Sequence, residues 1–261
     1  MNIVVCIKQV PDTTDVKINP ETNTLIREGV DSIMNPFDTY AVEEALRLKE
    51  KLGGEVTALS MGPPQAQDIL RQAISMGADR GILLSDRNFA GSDTLATAYT
   101  LARGIKKISE YDLIICGKQA IDGDTAQVGP GIAEVLNIPC ITYVRKIEEI
   151  NEKVIRAHRM MEGGCHVIES SLPALITVVK EINEPRLPSL RGKMNARKAE
   201  IDVWNAADIA CEVDRIGRMG SPTWVEKIFA PPQREKGVVF KGEAGETAEK
   251  LASVMKEKKI I

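Results

Sequence analysis

The stretch Gly117-Lys118-Gln119-Ala120-Ile121-Asp122-Gly123-Asp124-Thr125-Ala126-Gln127-Val128-Gly129 carries groups suited to holding an anionic ligand. Glycines at 117 and 123 permit positive φ and close backbone approach. The N–H groups around Thr125, Ala126 and Gln127 would open a helix and could hold a phosphate or pyrophosphate. Asp122 and Asp124 repel phosphates, so ribose-hydroxyl or backbone-capping roles suit them better. The segment matches neither G-x-G-x-x-G nor G-x-x-x-x-G-K-[ST], and a capped structural turn accounts for the same residues.

Other candidates carry equally plain alternatives. Asn35-Pro36-Phe37-Asp38 is first a helix start, with a rim gripping an adenosine group as its functional reading. Cys6 lies mid-strand, where a thiol is more often filling than nucleophile. Ser92-Asp93-Thr94 opens a helix. His158 and His166 fall on alternating strands, where a solvated or packed imidazole is the expectation. The cluster Arg186, Arg191, Lys193, Arg197 and Lys198, beside Leu187, Leu190 and Met194, reads as a solvated face or a partner-docking loop.

These residues need elements to place them. Ile3–Ile7 is a continuous apolar run, as expected of a strand covered on both faces of a parallel sheet. Similar runs at 56–61, 81–84, 113–116 and 140–144 alternate with helical patterns over 41–52, 64–76, 92–110 and 125–137, a βαβαβαβαβ order. The expected fold class is α/β, a doubly wound and mainly parallel sheet with helices on both faces. Ligands of such sheets sit beyond the carboxyl ends of the strands, where Lys8-Gln9, Met61 to Pro64, Ser85 to Thr94 and Gly117 to Gly131 converge.

Val16–Ile18 and Thr24–Ile26 flank a turn-rich segment that predicts a small hairpin. Residues 154–161, 166–170 and 174–179 are expected as antiparallel strands closing the sheet. The nucleotide-binding body is expected over 1–182, and an extended C-terminal arm over 183–261. The arm carries prolines and the basic cluster, so it must be disordered or packed on something else. Its terminal helix over 243–258 would dock by a stripe of Ala244, Ala248, Leu251, Ala252 and Met255.

Composition narrows the chemistry. With two histidines, imidazole metal sites and Ser-His-Asp catalysis start from few candidates, and 4% aromatic content with a net charge of −3 argues against a nucleic-acid partner. Five widely spaced cysteines form no C-x-x-C pair, which argues against a zinc ribbon or disulfide framework and for a reduced, cytoplasmic setting. No signal peptide is read at Met1, and no run reaches the ~20 apolar residues of a membrane helix.

VVCIKQVPDT, MNPFDTYAVEEALRLKEK, SMGPPQAQ, ISMGADRGILL, GKQAIDGDTAQVG and NEPRLPSL, in that order from Met1 to about Leu190, resemble the small (β) subunits of the electron transfer flavoproteins. The resemblance implies a heterodimer with a larger α subunit, and an arm that reaches across that partner. It implies a nucleotide site at Cys6, Asn35 to Asp38, Met61 and the Asp122 to Gly131 loop, with Gly117 and Gln119 at its root. It also implies a recognition loop whose Leu190 anchors on acyl-CoA dehydrogenase-type partners. DGDTAQVGP and DRNFAGSDTLATA are more similar to the branch that holds FAD, takes hydride from NADH and bifurcates electrons to the α-subunit FAD and ferredoxin. Gly91, Ser92 and Gly123 leave room for such a flavin; the alternative branch holds a structural AMP. No acid–base catalyst is expected, since the flavin carries the redox chemistry. A nucleotide-dependent hydrolase would need a glycine-rich grip after the first strand, where KQVPDT has none.

Overall fold

A computed structural model describes residues 1–12, 32–226 and 237–261. The chain divides into two compact units, Met1–Glu226 and Lys227–Ile261.

In the first unit, β1 (Ile3–Cys6), β4 (Val56–Met61), β5 (Arg80–Leu84) and β6 (Leu113–Gly117) are parallel strands. They alternate with α1 (Pro36–Leu52), α2 (Gln67–Met76), α3 (Thr94–Ile108) and α4 (Val128–Leu136). β2 (Gln9–Pro11) and β3 (Ser32–Met34) form a separate antiparallel pair. The hairpin expected at Val16–Ile26 lies outside the described residues. β7 (Cys140–Ile150), β8 (Val154–Met161), β9 (Gly164–Ser171), β10 (Ala174–Val178) and β11 (Ile201–Trp204) complete a sheet of order β11-β5-β4-β1-β6-β10-β7-β8-β9.

Strand pleating sorts the core into two layers. Ile3 and Val5 point to one face and pack with Ala41, Val42 and Leu46 of α1 and Ile69, Leu70 and Ala73 of α2. Val4 and Cys6 point to the other, with Ala98, Tyr99 and Ile105 of α3 and Ile132 and Ala133 of α4. Helices therefore cover both faces, as the continuous apolar runs require.

Two expectations about strand placement need correction. Ala174–Val178 is not an antiparallel closing strand; it runs parallel between β6 and β7. All five of its residues are buried, which suits a sheet interior, whereas β9 is largely exposed and sits at the edge. Only β8 and β9 extend the sheet antiparallel. The fourth helix also starts late, at Val128 rather than Thr125, because Asp124 and Ala126 have φ of 52° and 54° and cannot continue a right-handed turn.

Residues 183–226, expected as the near part of an arm, pack within this first unit. β11 adds in parallel beside β5, with Arg80 paired to Asp202 and the Lys107 ammonium 4.3 Å from the Trp204 ring centroid. α5 (Leu190–Lys198) lies on α2, where Arg71 Nη1 donates to the carbonyls of Ala196 and Ala199, both at 2.8 Å. Ala206, Ile209 and Ile216 enter the α3 side of the core. Packing on the body of the same chain thus offsets the ordering cost of this segment. In the second unit, α6 (Ala244–Glu257) keeps Leu251 half exposed. Among the described residues no helix is long and apolar enough to cross a membrane.

Candidate functional site

From β1 the chain proceeds through α1 to β4 on one side, while β6 lies on the other. The reversal at β1/β6 is the topological switch point, and the space beyond the carboxyl ends of those two strands is the crevice that such sheets use for ligands. Cys6 and Cys116 are register partners there, both buried. The hydrogen bond from Cys6 and burial push the Cys116 thiol well above its ordinary value, so Cys116 serves as packing under the crevice.

The N-terminus of α1 braces both walls. Asn35 is buried, with its amide Nδ2 donating to the Gln119 carbonyl at 2.9 Å and its Oδ1 accepting from the Ile121 N–H at 3.1 Å. Its backbone N–H donates to the Lys8 carbonyl at 2.9 Å. Pro36 occupies the first helical turn, where a missing N–H costs nothing. Asp38 is also buried and accepts from the Lys8 N–H at 2.7 Å. A side chain at Gly117 would begin against the Asp38 carboxylate and 2.8 Å from the Phe37 carbonyl carbon, so glycine is needed for this close approach.

Beyond Gly117 the loop carries its own wiring. Lys8 Nζ pairs with the Asp122 carboxylate at 2.7 Å, and Gln119 Nε2 donates to the Asp124 carboxylate. These two contacts counter the charge objection to a phosphate at this loop. Asp124 and Ala126 in the left-handed region turn the backbone, and nothing lies within 4 Å of where a side chain would begin at Gly123. Thr125 and Gln127 are exposed. Among the described residues, the N–H groups of Thr125, Ala126 and Gln127 have no backbone partner, although Gln127 caps α4. Val128 packs on the α3 side of the core. A side chain at Gly129 would begin 2.6 Å from Thr177 Cγ2, so this glycine lets α4 approach β10 closely.

The remaining expected residues fall less directly on the crevice. Met61 ends β4, half-buried against the α3 side of the core. The Ser92 hydroxyl donates to the Phe89 carbonyl at 2.8 Å. Asp93 caps α3, accepting from the N–H groups of Leu95 and Ala96 at 2.9 and 3.1 Å, and it also holds Thr223. Burial works to raise this carboxyl, but those hydrogen bonds hold it below its ordinary value. The Thr94 hydroxyl reaches Gln127 Oε1 at 3.1 Å, joining the starts of α3 and α4. Leu190 stands apart. It opens α5, whose Gly192 lies against the end of α2, so it belongs to the amino-terminal edge of the strands, away from the crevice.

Lys118 was passed over by sequence reasoning, though it sits in the same G-K-Q run. Its ammonium lies 5.8 Å from the Phe37 ring centroid and 5.5 Å from that of Tyr143, a cation held between two rings at the crevice wall. Tyr143 takes a φ of 55°, and its N–H donates to Thr177 Oγ1 at 3.0 Å. No sequence pattern signals that turn of the ring.

The fold defines a doubly wound α/β protein whose switch point is braced by Asn35 and Asp38. A family model of the electron transfer flavoprotein domain matches residues 22–209, and the chain belongs to that family, among its β (small) subunits. The electron transfer flavoprotein subunit beta of Thermoanaerobacterium thermosaccharolyticum is 50% identical to it over the whole of both chains. The caffeyl-CoA reductase-Etf complex subunit CarD of Acetobacterium woodii is 51% identical, also over the whole of both. Protein FixA of Sinorhizobium fredii is 49% identical over 92% of this chain and 86% of its own.

Proposed function

We propose that this small subunit holds FAD in the β1/β6 crevice, accepts hydride from NADH there, and passes electrons to the FAD of an α subunit and to ferredoxin. The observation that carries the reading is the 121–127 turn. It offers backbone N–H groups ahead of α4 that have no backbone partner among the described residues, open space at Gly123, and acids already engaged by Lys8 and Gln119. A pyrophosphate fits that donor set. The flavin supplies the two-electron and one-electron chemistry, and the protein binds and orients it.

The chain's own residues have distinct parts. Asn35, Asp38 and Gly117 fix the walls, the amides of residues 125–127 receive the pyrophosphate, and Asp122 and Asp124 face ribose hydroxyls. Cys6, Phe37 and Met61 line the apolar side, and Ser92, Asp93 and Thr94 set the rim at α3. No side chain is assigned proton transfer. CarD, a subunit of a caffeyl-CoA reductase-Etf complex, supports a subunit that works in an assembly with a reductase. The exposed Leu187, Leu190 and Met194 on α5 and the turn before it, amid Arg191, Lys193 and Arg197, form the surface for a flavin dehydrogenase. The free cysteines support a cytoplasmic setting.

Co-purification with the α subunit and quantification of FAD and AMP test this. Two FAD per heterodimer, bleached by NADH alone, is the expected result. One FAD with one AMP, and no reduction by NADH, would replace it with the non-bifurcating subunit that holds AMP structurally.

A further inference from the structure

Residues 183–189 have no regular structure of their own, and both ends of the segment are tied down. Asn183 Nδ2 donates to the Tyr40 carbonyl at 3.0 Å and to Glu44 Oε2 at 2.9 Å, while Ser189 caps α5. In between, Pro185 and Pro188 fix their own φ and hold the residues before them extended. Arg186 stands between these prolines and makes five hydrogen bonds to two carboxylates of α1. Its Nε donates to Glu43 Oε2 at 2.8 Å and its Nη2 to Glu43 Oε1 at 3.2 Å. Nη2 also donates to Glu50 Oε2 at 3.1 Å, Nη1 to Glu50 Oε1, and the backbone N–H to Glu43 Oε2 at 3.1 Å. Glu43 and Glu50 lie two turns apart on one face of α1. One guanidinium therefore spans two helix turns, which its planar fork allows and the point charge of a lysine does not.

Leu187 comes next in the chain. With Arg186 drawn onto α1, its neighbour in extended chain points the other way, and Leu187 is the most exposed large apolar residue among those described. A lone exposed leucine is ordinary. This one is mounted on a bidentate guanidinium between two prolines, with exposed Leu190 and Met194 and the cations Arg191 and Lys193 close by in the chain.

We propose that Arg186 is a positioning residue, whose fork on Glu43 and Glu50 holds Leu187 out as an apolar contact for an electron-transfer partner with an acidic-edged hollow. The proposal deepens the reading of the 187–194 surface as the one met by a flavin dehydrogenase, and rests on it. A short-lived complex gains little binding energy with which to order a loop, so a contact ordered in advance binds better. A lysine at 186 keeps the charge and loses the span. Leu187 then spends part of its time out of place, and the apparent affinity falls with the competent fraction.

The test uses the flavin-loaded heterodimer and an acyl-CoA dehydrogenase, reduced by its acyl-CoA substrate, as electron donor, with a dye as the final acceptor. Arg186→Lys should raise the KM for the dehydrogenase roughly tenfold and leave the saturated rate unchanged. Leu187→Ala should do the same, since it removes the contact itself. Because Arg186 acts through Leu187, the double variant should show about the same tenfold rise rather than the hundredfold of independent sites. Leu190→Ala, held by α5 instead, should add its effect to that of Arg186→Lys in full. A loss of stability alone would produce neither the KM split nor the coupling to Leu187.

A KM unchanged in Arg186→Lys, or effects of Arg186→Lys and Leu187→Ala that multiply, overturns the role of Arg186 while Leu190→Ala still upholds the docking surface. If the wild-type heterodimer takes no electrons from the dehydrogenase, or if Leu187→Ala and Leu190→Ala both match it, the docking reading falls and the proposal with it.

Discussion

Helix α1 serves two surfaces of opposite kind. At its N-terminus, Asn35 and Asp38 bury polar groups and spend them on backbone partners, which makes the crevice walls rigid. Further along, Glu43, Glu44 and Glu50 reach out to root the 183–186 segment: Arg186 pairs with Glu43 at 2.8 Å and with Glu50, and Asn183 donates to Glu44 at 2.9 Å. Just beyond that root, Leu187 is 91% and Leu190 79% exposed. One region is polar, buried and saturated; the other is apolar, exposed and free at its tip. A ligand that must stay calls for walls fixed before it arrives, whereas a partner that must leave calls for a fixed root and an uncommitted contact.

The sharpest way to break the crevice is Gly117→Ala. The new methyl would press on the Asp38 carboxylate and the Phe37 backbone, neither of which can swing away. Overpacking of a braced backbone costs about 3 kcal/mol. Urea unfolding should show that loss together with loss of nucleotide, and full retention of both would mean that the walls are compliant.

Arg186→Ala should cost about 1–2 kcal/mol, because the Glu43 side chain is only 3% exposed and would keep as partners only Arg47 and the backbone N–H of residue 186. Burial works to raise Glu43, but the hydrogen bonds from Arg186 and Arg47 hold it below 4.5. That contribution is present above the unfolded value and lost as pH falls through the folded one. The gap between wild type and Arg186→Ala should therefore close on acidification into the carboxylate range. Nucleotide content should stay unchanged, which separates the root from the crevice.

Asp93→Ala removes a cap that serves two N–H groups of α3 and ties down Thr223. A loss of about 1 kcal/mol is expected in thermal or urea unfolding. Since Asp93 sits on the crevice rim without bracing its walls, nucleotide affinity should fall far less than in Gly117→Ala. Equal losses would move the rim into the load-carrying wall.

Much of this was legible before the structure. Continuous apolar runs such as Ile3–Ile7 and Leu113–Cys116 marked interior parallel strands, and the rule for doubly wound sheets put the crevice at their ends. Other features depend on long-range partners that no local pattern carries. Ala174–Val178 had the uninterrupted burial of an interior strand, yet its chain neighbours are antiparallel, so proximity in sequence misled. The short piece Ile201–Trp204 becomes a strand only because β5 offers an open edge and Arg80 a partner for Asp202. Asn35 and Asp38 read as a helix start, and their distant partners at Lys8, Gln119 and Ile121 show them to be braces as well.

The smallest expected change in stability is also the one that divides the two regions most cleanly. Leu190 is exposed at the first turn of α5, while the helix is held by Ser189 capping the Gly192 N–H at 2.9 Å and by Arg71 on the far carbonyls. Leu190→Ala removes none of those contacts, so unfolding free energy should stay within about 0.5 kcal/mol of wild type. An apolar anchor at the centre of a transient interface is worth about 1–2 kcal/mol, so electron transfer with the dehydrogenase should slow by about tenfold. Flavin reduction by NADH, placed by the proposed function in the crevice at the other end of the strands, should not change. If stability falls with the rate, the 187–194 segment is held by its tip as well as its root, and the contrast between the two surfaces of α1 fails.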